Sequence, residues 1–298
     1  MDKESHKHHD SATNIGIAFL LNLIFTVFEI VGGLLTNSMA ILSDALHDLG
    51  DSLSLGLTWF LDRYSKKGKD HRYSYGYQRY SLLAAMLNTI VLIVGSIIIL
   101  SEVIPRLFHP SVPKAEGMFL FAIVGIVVNG VAALRLRNGN NLNQKVIAWH
   151  LLEDVLGWAV VLILSVVLMF RDWYILDPLM SIGITIYILT HVVKNFKQTM
   201  AIFLQAVPDK SSASEIEKRL LGIPNVLSIH HTHFWSLDGE HNVLTTHAVV
   251  PENASREEVA HVKSAVKSIA DEFGCEHITL EIEYRGDDCT MDDSLKIG

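Results

Sequence analysis

Residues 42–51 read Leu42-Ser43-Asp44-Ala45-Leu46-His47-Asp48-Leu49-Gly50-Asp51, and this stretch decides the fold. It lies inside an apolar block, residues 39–61, long enough for the ~20 residues that a bilayer crossing demands. Four ionisable side chains therefore sit where lipid is expected. An Asp at mid-membrane costs ~2.5–3.5 kcal/mol on insertion scales, so each needs a partner or a task. A helix stacks residues four apart on one face, which sets His47 over Asp51. Asp44 lies one turn earlier on nearly the same face, placed for a supporting or proton-relay role. Asp48 points ~100° away and belongs in hydrogen bonds or near the interface.

A second apolar block, residues 147–170, repeats the device with His150 and Asp154, and Glu153 points off that face. If the two faces meet, two imidazoles and two carboxylates converge. Four mixed N/O ligands suit tetrahedral Zn²⁺ and admit Cd²⁺ or Co²⁺. Mg²⁺ and Ca²⁺ favour all-oxygen shells of six or more, and a set without Cys or Met disfavours Cu⁺. The bland alternative, polar contacts that only hold helices together, suits Asn22, Glu29 and Asn88 better than these four.

Further blocks fall near residues 14–35, 81–104, 115–134 and 174–193, making six spans. Only Thr36-Asn37-Ser38 separates the first two, and Gly32-Gly33 marks a place for close helix packing. The whole chain is 50% hydrophobic and 19% charged, against about 25% charged for a soluble domain. Arg63, Lys66, Lys67, Lys69, Arg72 and Arg79 crowd the connection between spans two and three. Arg135, Arg137 and Lys145 lie between four and five, and Lys194 and Lys197 follow six, whereas the opposite loops hold Arg106, Lys114 and Arg171. The positive-inside rule then places both termini in the cytoplasm. The first block has no small-residue cleavage site after it and reads as a retained helix.

After residue 206 the sequence turns acidic, with eight Lys and Arg against seventeen Asp and Glu. That balance argues against a nucleic-acid partner. Ser211–Leu221 reads as an amphipathic helix capped by Ser211 or Ser212. Val226–Leu237 and Asn242–Val250 read as strands joined at Gly239, residues 255–273 as a second helix, and Ile278–Tyr284 as a last strand. An α-β-β-α-β order makes an open-faced α+β sandwich. The expected organisation is a polar His-containing tail (1–13), a six-helix transmembrane domain (14–205), an α+β domain (206–286) and a flexible tail (287–298). Cys275 and Cys289 form no disulfide framework, as in a reducing cytosol. Cys289, beside Asp287 and Asp288, reads as a free thiol in preference to a soft ligand. In strict alternation, His231 and His233 share one face of their strand and His230 takes the other.

These residues resemble the zinc-transporting branch of the cation diffusion facilitator family. The matching segments are Gly32-Gly33, Asn37-Ser38, Leu42 through Asp51, Tyr75-Gly76-Tyr77 with Arg79, Ala148 through Asp154, Asp177-Pro178-Leu179 and His233-Phe234-Trp235-Ser236-Leu237. The resemblance implies six transmembrane helices, a cytoplasmic ferredoxin-like domain, a homodimer, and metal/proton antiport out of the cytoplasm. It also implies that His47, Asp51, His150 and Asp154 form the transport site, with His at the first position of each pair as in the zinc branch. His230, His247 and His261 match positions that hold regulatory zinc in relatives, as does Glu283, and His277 just precedes the last strand. Two departures stand out. Tyr73 and Tyr77 occupy places where an additional loop site needs histidine, leaving Asp70 and His71 as weak ligands. The loop between spans four and five holds no histidine, so metal capture would pass to His6, His8 and His9.

Such a site expels protons when it binds metal, and histidine's ordinary pKa of ~6.5 lets modest pH differences tilt the exchange. The expectation is a secondary transporter and not an enzyme. A membrane zinc hydrolase would need a base such as Glu153 and a substrate pocket, and no nucleophile motif accompanies these residues. A passive channel or a membrane metal sensor is the other alternative, separated from antiport by a dependence on the proton gradient.

Overall fold

A computed structural model describes the backbone of residues 2–65, 67–137, 142–287 and 289. Side chains are described for all of these except 2–18, 58, 59, 62, 63, 65, 136, 137, 142–148, 150 and 210–212. Six long helices come first: α1 (Asp2–Thr36), α2 (Met39–Ser65), α3 (Tyr80–Phe108), α4 (Ala115–Arg137), α5 (Leu142–Phe170) and α6 (Leu176–Phe203). Among the described residues, five are long and apolar enough to cross a membrane, and α2, with its own acids, falls outside that group. The helix α1 runs back through the expected polar tail, and α5 starts five residues before the expected block. Neither extension contains a Gly or Pro to stop it.

The chain divides into two compact units, residues 1–63 with 84–196 and residues 64–83 with 197–298. In the first, Asn37 (φ 56°) reverses the chain between α1 and α2. Ser38 then caps α2, its Oγ accepting from Ile41 N at 3.3 Å. Asp177 at the start of α6 completes the cap. Its carboxylate accepts from Ser38 Oγ (2.5 Å), Met39 N (2.7 Å) and Ala40 N (3.3 Å). A carboxylate at a helix N-terminus also meets the positive end of the macrodipole. One turn on, Ser43 Oγ lies 2.5 Å from Ser181 Oγ, stitching α2 to α6.

Trp158 of α5 is fully buried against Ala40, Ile41, Met118 and Ala122. A Cβ on Gly32 would come within 2.6 Å of Phe121, so the close approach of α1 to α4 depends on this glycine. On the outer face of α1, Leu20, Ile24, Val27, Val31 and Leu34 form an exposed stripe at helical spacing. Each such side chain left in water forgoes ~1.5–3 kcal/mol of burial, and lipid removes that loss.

In the second unit, α7 (Lys210–Leu221), β1 (Ser228–Ser236), β2 (Asn242–Val250), α8 (Arg256–Glu272) and β3 (Cys275–Tyr284) follow the expected order. The strands form one sheet, β1-β2-β3, antiparallel between β1 and β2 and parallel between β2 and β3. The crossover helix α8 begins with a complete capping box, Ser255 with Glu258, a feature worth ~1 kcal/mol. For α7 the expected cap is corrected. The helix already includes Lys210, so Ser211 and Ser212 lie inside it, and Asp209, whose carbonyl accepts from Ala213 N, takes the cap position. Ile216, Leu220, Val262, Val266 and Ala270 from the helices pack on Phe234, Leu244 and Val250. With side chains alternating along each strand, this leaves the opposite sheet face, bearing His247, Glu281 and Glu283, uncovered by helices.

The α2–α3 connection belongs to this second unit. Tyr75 meets the rings of Trp235 and His277 edge-on, at 6.1 and 5.0 Å between centroids. The Arg79 guanidinium sits 5.3 Å over Trp235, and Gln78 Nε2 donates to Glu276 Oε2 at 3.0 Å.

Candidate metal centres

The first centre lies within the helical unit. His47 Nε2 and Asp51 Oδ2 are 3.8 Å apart on one face of α2, and both side chains are about one-third exposed. The Asp44 carboxylate lies against α5 at Gly157, where Oδ1 would be 3.6 Å from an added Cβ. Asp154 is one turn before Gly157 on the same helix, and its carboxylate acts electrostatically on Asp44 and Asp48. Asp44 of α2 therefore lies against α5 one turn from Asp154. The side chain of His150 lies outside the described residues, as do those of His6, His8 and His9; the backbone of His150 is helical, one turn before Asp154.

Around this core, Asn22 and Asn88 tie α2 to its neighbours. Asp48 is buried and its carbonyl accepts from Asn22 Nδ2, which also donates to Ser52 Oγ at 3.0 Å. Asn88 Nδ2 donates to Ser54 Oγ at 2.6 Å, tying α3 to α2. Glu29 is fully buried, whereas Glu153 is exposed.

The second centre is on the helix-free face of the sheet. His230 and His247 are direct cross-strand partners. Glu283 Oε1 lies 2.7 Å from His247 Nδ1, and Oε2 lies 3.1 Å from His230 Nε2. Cys289 Sγ lies 3.6 Å from His247 Nδ1. One ligand atom from each of the four lies within 4.8 Å of the others. Burial pushes the Glu283 carboxyl up, but hydrogen bonds with Cys289 and His247 and the nearby imidazoles outweigh it and hold it below its ordinary value. His230 Nε2 is buried and faces Glu283 Oε2. Two imidazoles, a carboxylate and a thiol make a donor set that fits a tetrahedral divalent cation.

Here the strict-alternation expectation holds for His231 and His233, whose Nε2 atoms lie 3.3 Å apart, and fails for His230. His231 adopts φ 48°, the pairing register shifts between His230 and His233, and a bulge results. An extra residue in one strand breaks the period of two. The rings of both His230 and His231 consequently reach His247, at 5.2 and 5.1 Å. His261 and His277 do not join the group. His261 is exposed on α8, and His277 is turned to Tyr75. Asp70 and His71 form no such group among the described residues. The Asp70 carboxylate is committed to its own turn, accepting from Arg72 N, Tyr73 N and Tyr77 Oη, and the Tyr77 bond above all holds it below the usual carboxylate range. Sequence reasoning undervalued Cys289, whose one signal was an acidic, cysteine-bearing segment just after the last strand.

Six long helices with a carboxylate–imidazole face, joined to a small α+β domain with a second cluster, define a multi-pass membrane protein that handles cations. Comparison with known proteins agrees. Residues 15–204 match the cation efflux transmembrane domain, and residues 208–285 match the cytoplasmic domain of cation efflux proteins. The chain belongs to the cation efflux family, whose members here are transporters and not enzymes. It is 31% identical over 284 residues to a cadmium, cobalt and zinc/H(+)-K(+) antiporter of Bacillus subtilis, covering 93% of this chain and 91% of the relative. It is 31% identical over 282 residues to the metal cation efflux system protein CzcD of Cupriavidus metallidurans, covering 94% and 89%. A solved metal-bound C-terminal domain of a CzcD transporter matches 24% of this chain and 94% of its own, at 35% identity and a TM-score of 0.21.

Proposed function

We propose that this protein exports Zn²⁺, with Cd²⁺ and Co²⁺ as alternative cargo, in exchange for protons. The observation that carries this reading is the His47–Asp51 pair on α2 with Asp44 seated against α5. His47, Asp51, His150 and Asp154 hold the cation during transport. The two carboxylates supply charge, and the two imidazoles supply nitrogen donors that exchange metal for protons near neutral pH. Asp44 serves as a proton relay beside them. Alternating access then requires α2 and α5 to present this face to one side of the membrane and then the other. The capping of α2 by Asp177 makes α2 and α6 move as one piece.

The chain works as a homodimer, with both termini cytoplasmic, in a bacterial inner membrane. Its C-terminal domain binds a regulatory divalent cation through His230, His247 and Glu283, reporting cytosolic metal to the transport unit. His261 contributes only across a dimer.

The test is zinc uptake into proteoliposomes under an imposed pH gradient. The parent should transport faster with the gradient than without it, and Asp51→Ala and Asp154→Ala should each lose transport by about 100-fold or more, as expected for a lost ligand compared with the 10–100-fold cost of a mere outer-shell partner. Parental rates in both variants overturn the assignment. Uptake indifferent to the gradient leaves a passive pathway instead.

A further inference from the structure

The residue order after β3 places a sulfur donor in the C-terminal centre. Tyr284 N donates to Asp287 Oδ2, Asp287 N donates to Tyr284 O, and Gly286 takes φ 102° between them. Arg285 N donates to Val250 O, so the turn stays fixed to the C-terminal end of β2. The reversed chain then carries Cys289 back over the helix-free face, where Sγ lies beside His247 Nδ1. Three donors are already in place there, with His247 7% and Glu283 8% exposed and His230 Nε2 buried 3.1 Å from Glu283 Oε2. The chain's other cysteine, Cys275, is 4% exposed among the apolar side chains of the domain core.

We infer that Cys289 is the fourth, thiolate ligand of this centre, making it a thiophilic cation site of composition N₂OS, softer than the transport site. This rests on the proposed reading of the C-terminal cluster as a metal site. The consequence is a difference in selectivity between the two centres. The helical set of two His and two Asp contains no sulfur, whereas a thiolate shifts preference towards Cd²⁺ and Zn²⁺ over Co²⁺ and Mn²⁺. The regulatory site then discriminates among cations that the transport site accepts together. Occupancy also ties the segment after β3 to the sheet, because one ligand comes from each side of the turn at Gly286. On binding, the cysteine S–H bond breaks, its proton passes to solvent, and the sulfur lone pair forms the bond to the cation.

The experiment uses the purified full-length chain in detergent, titrated with Cd²⁺ and monitored for the near-ultraviolet thiolate-to-cadmium charge-transfer band. With two cysteines in the chain, the band has two possible origins. The parent and Cys275→Ala should both show it, and Cys289→Ser should lose it. Cys289→Ser should also weaken Cd²⁺ at this centre by about 100-fold, the upper end of what loss of an outer-shell partner costs, with a smaller effect on Co²⁺. A band that persists in Cys289→Ser overturns the inference. So does the absence of any band while His247→Ala still removes one equivalent of bound Cd²⁺; that result keeps the three-ligand site and excludes the cysteine. If His247→Ala leaves bound Cd²⁺ unchanged, the cluster is not a metal site, and the inference falls with it.

Discussion

The two centres draw on histidine and carboxylate in opposite ways, and the second adds a cysteine. On α2 the donors are four residues apart in sequence and one helical turn apart in space. In the C-terminal domain, His230, His247, Glu283 and Cys289 come from two strands of a hairpin, a parallel third strand and a turn beyond it. The first arrangement is local, since helix geometry alone generates it. The second is non-local and needs a sheet register, a bulge and a chain reversal. Their surroundings differ as well. On α2 the His47 and Asp51 side chains are about one-third exposed, whereas His247 and Glu283 of the sheet face are buried, at 7% and 8% exposed.

This contrast can be broken by a double dissociation, the largest expected effect. Asp51→Ala should abolish proton-driven uptake and leave Cd²⁺ binding at the C-terminal centre at its parental affinity. His247→Ala should weaken that binding by about 100-fold, at the upper end of the cost of losing an outer-shell partner, and leave uptake at saturating zinc measurable. Isothermal titration beside vesicle flux reads both, and loss of both properties in either variant would mean that the centres are one functional unit.

A smaller effect probes how the helical unit holds α2. Asp177→Ala removes the acceptor for Ser38 Oγ, Met39 N and Ala40 N. Each buried donor left unsatisfied costs ~1–3 kcal/mol, so the detergent-solubilised protein should lose about 2–4 kcal/mol of stability, read by thermal unfolding. Asp177→Asn, which keeps an acceptor oxygen, should recover part of it.

The smallest effect concerns the hairpin between β1 and β2. Burial pushes the Asp238 carboxyl up, but bonds from His241 N, Glu240 N and the His241 ring prevail and hold it below its ordinary value. The same ring contact, chiefly, raises the His241 pKa. The Asp238 contribution is present above its unfolded value of ~3.9 and fades as pH falls through the lowered one. The His241 contribution is complete below ~6.5 and fades as pH rises through the raised one. Asp238→Asn should therefore cost most between those limits, about 1 kcal/mol, and flatten the dependence of unfolding on pH. An unchanged pH profile would remove the ion pair from the account of this turn.

Much of the fold was legible because its causes are local. Span lengths follow from bilayer thickness, and the α-β-β-α-β order follows from two distinct periodicities. The α7 cap was misjudged because Asp209 competes on equal terms with the serines after it. The face of His230 was misjudged because alternation holds only where no residue is inserted, and the left-handed backbone at His231 inserts one. The approach of Asp44 to α5 at Gly157 was not legible, because contacts between helices depend on packing.

The sequence by itself determined the membrane-spanning character, the stacking of His47 over Asp51 on α2, and the presence of a separate acidic domain. These depend on composition and on distances of four residues, which a helix converts directly into space. Only the tertiary structure decided that Asp177 caps α2, that the α2–α3 connection packs on Trp235, and that Cys289 joins His230, His247 and Glu283. Those contacts link residues up to 160 positions apart, and such neighbours are chosen by packing and register, which no local pattern encodes.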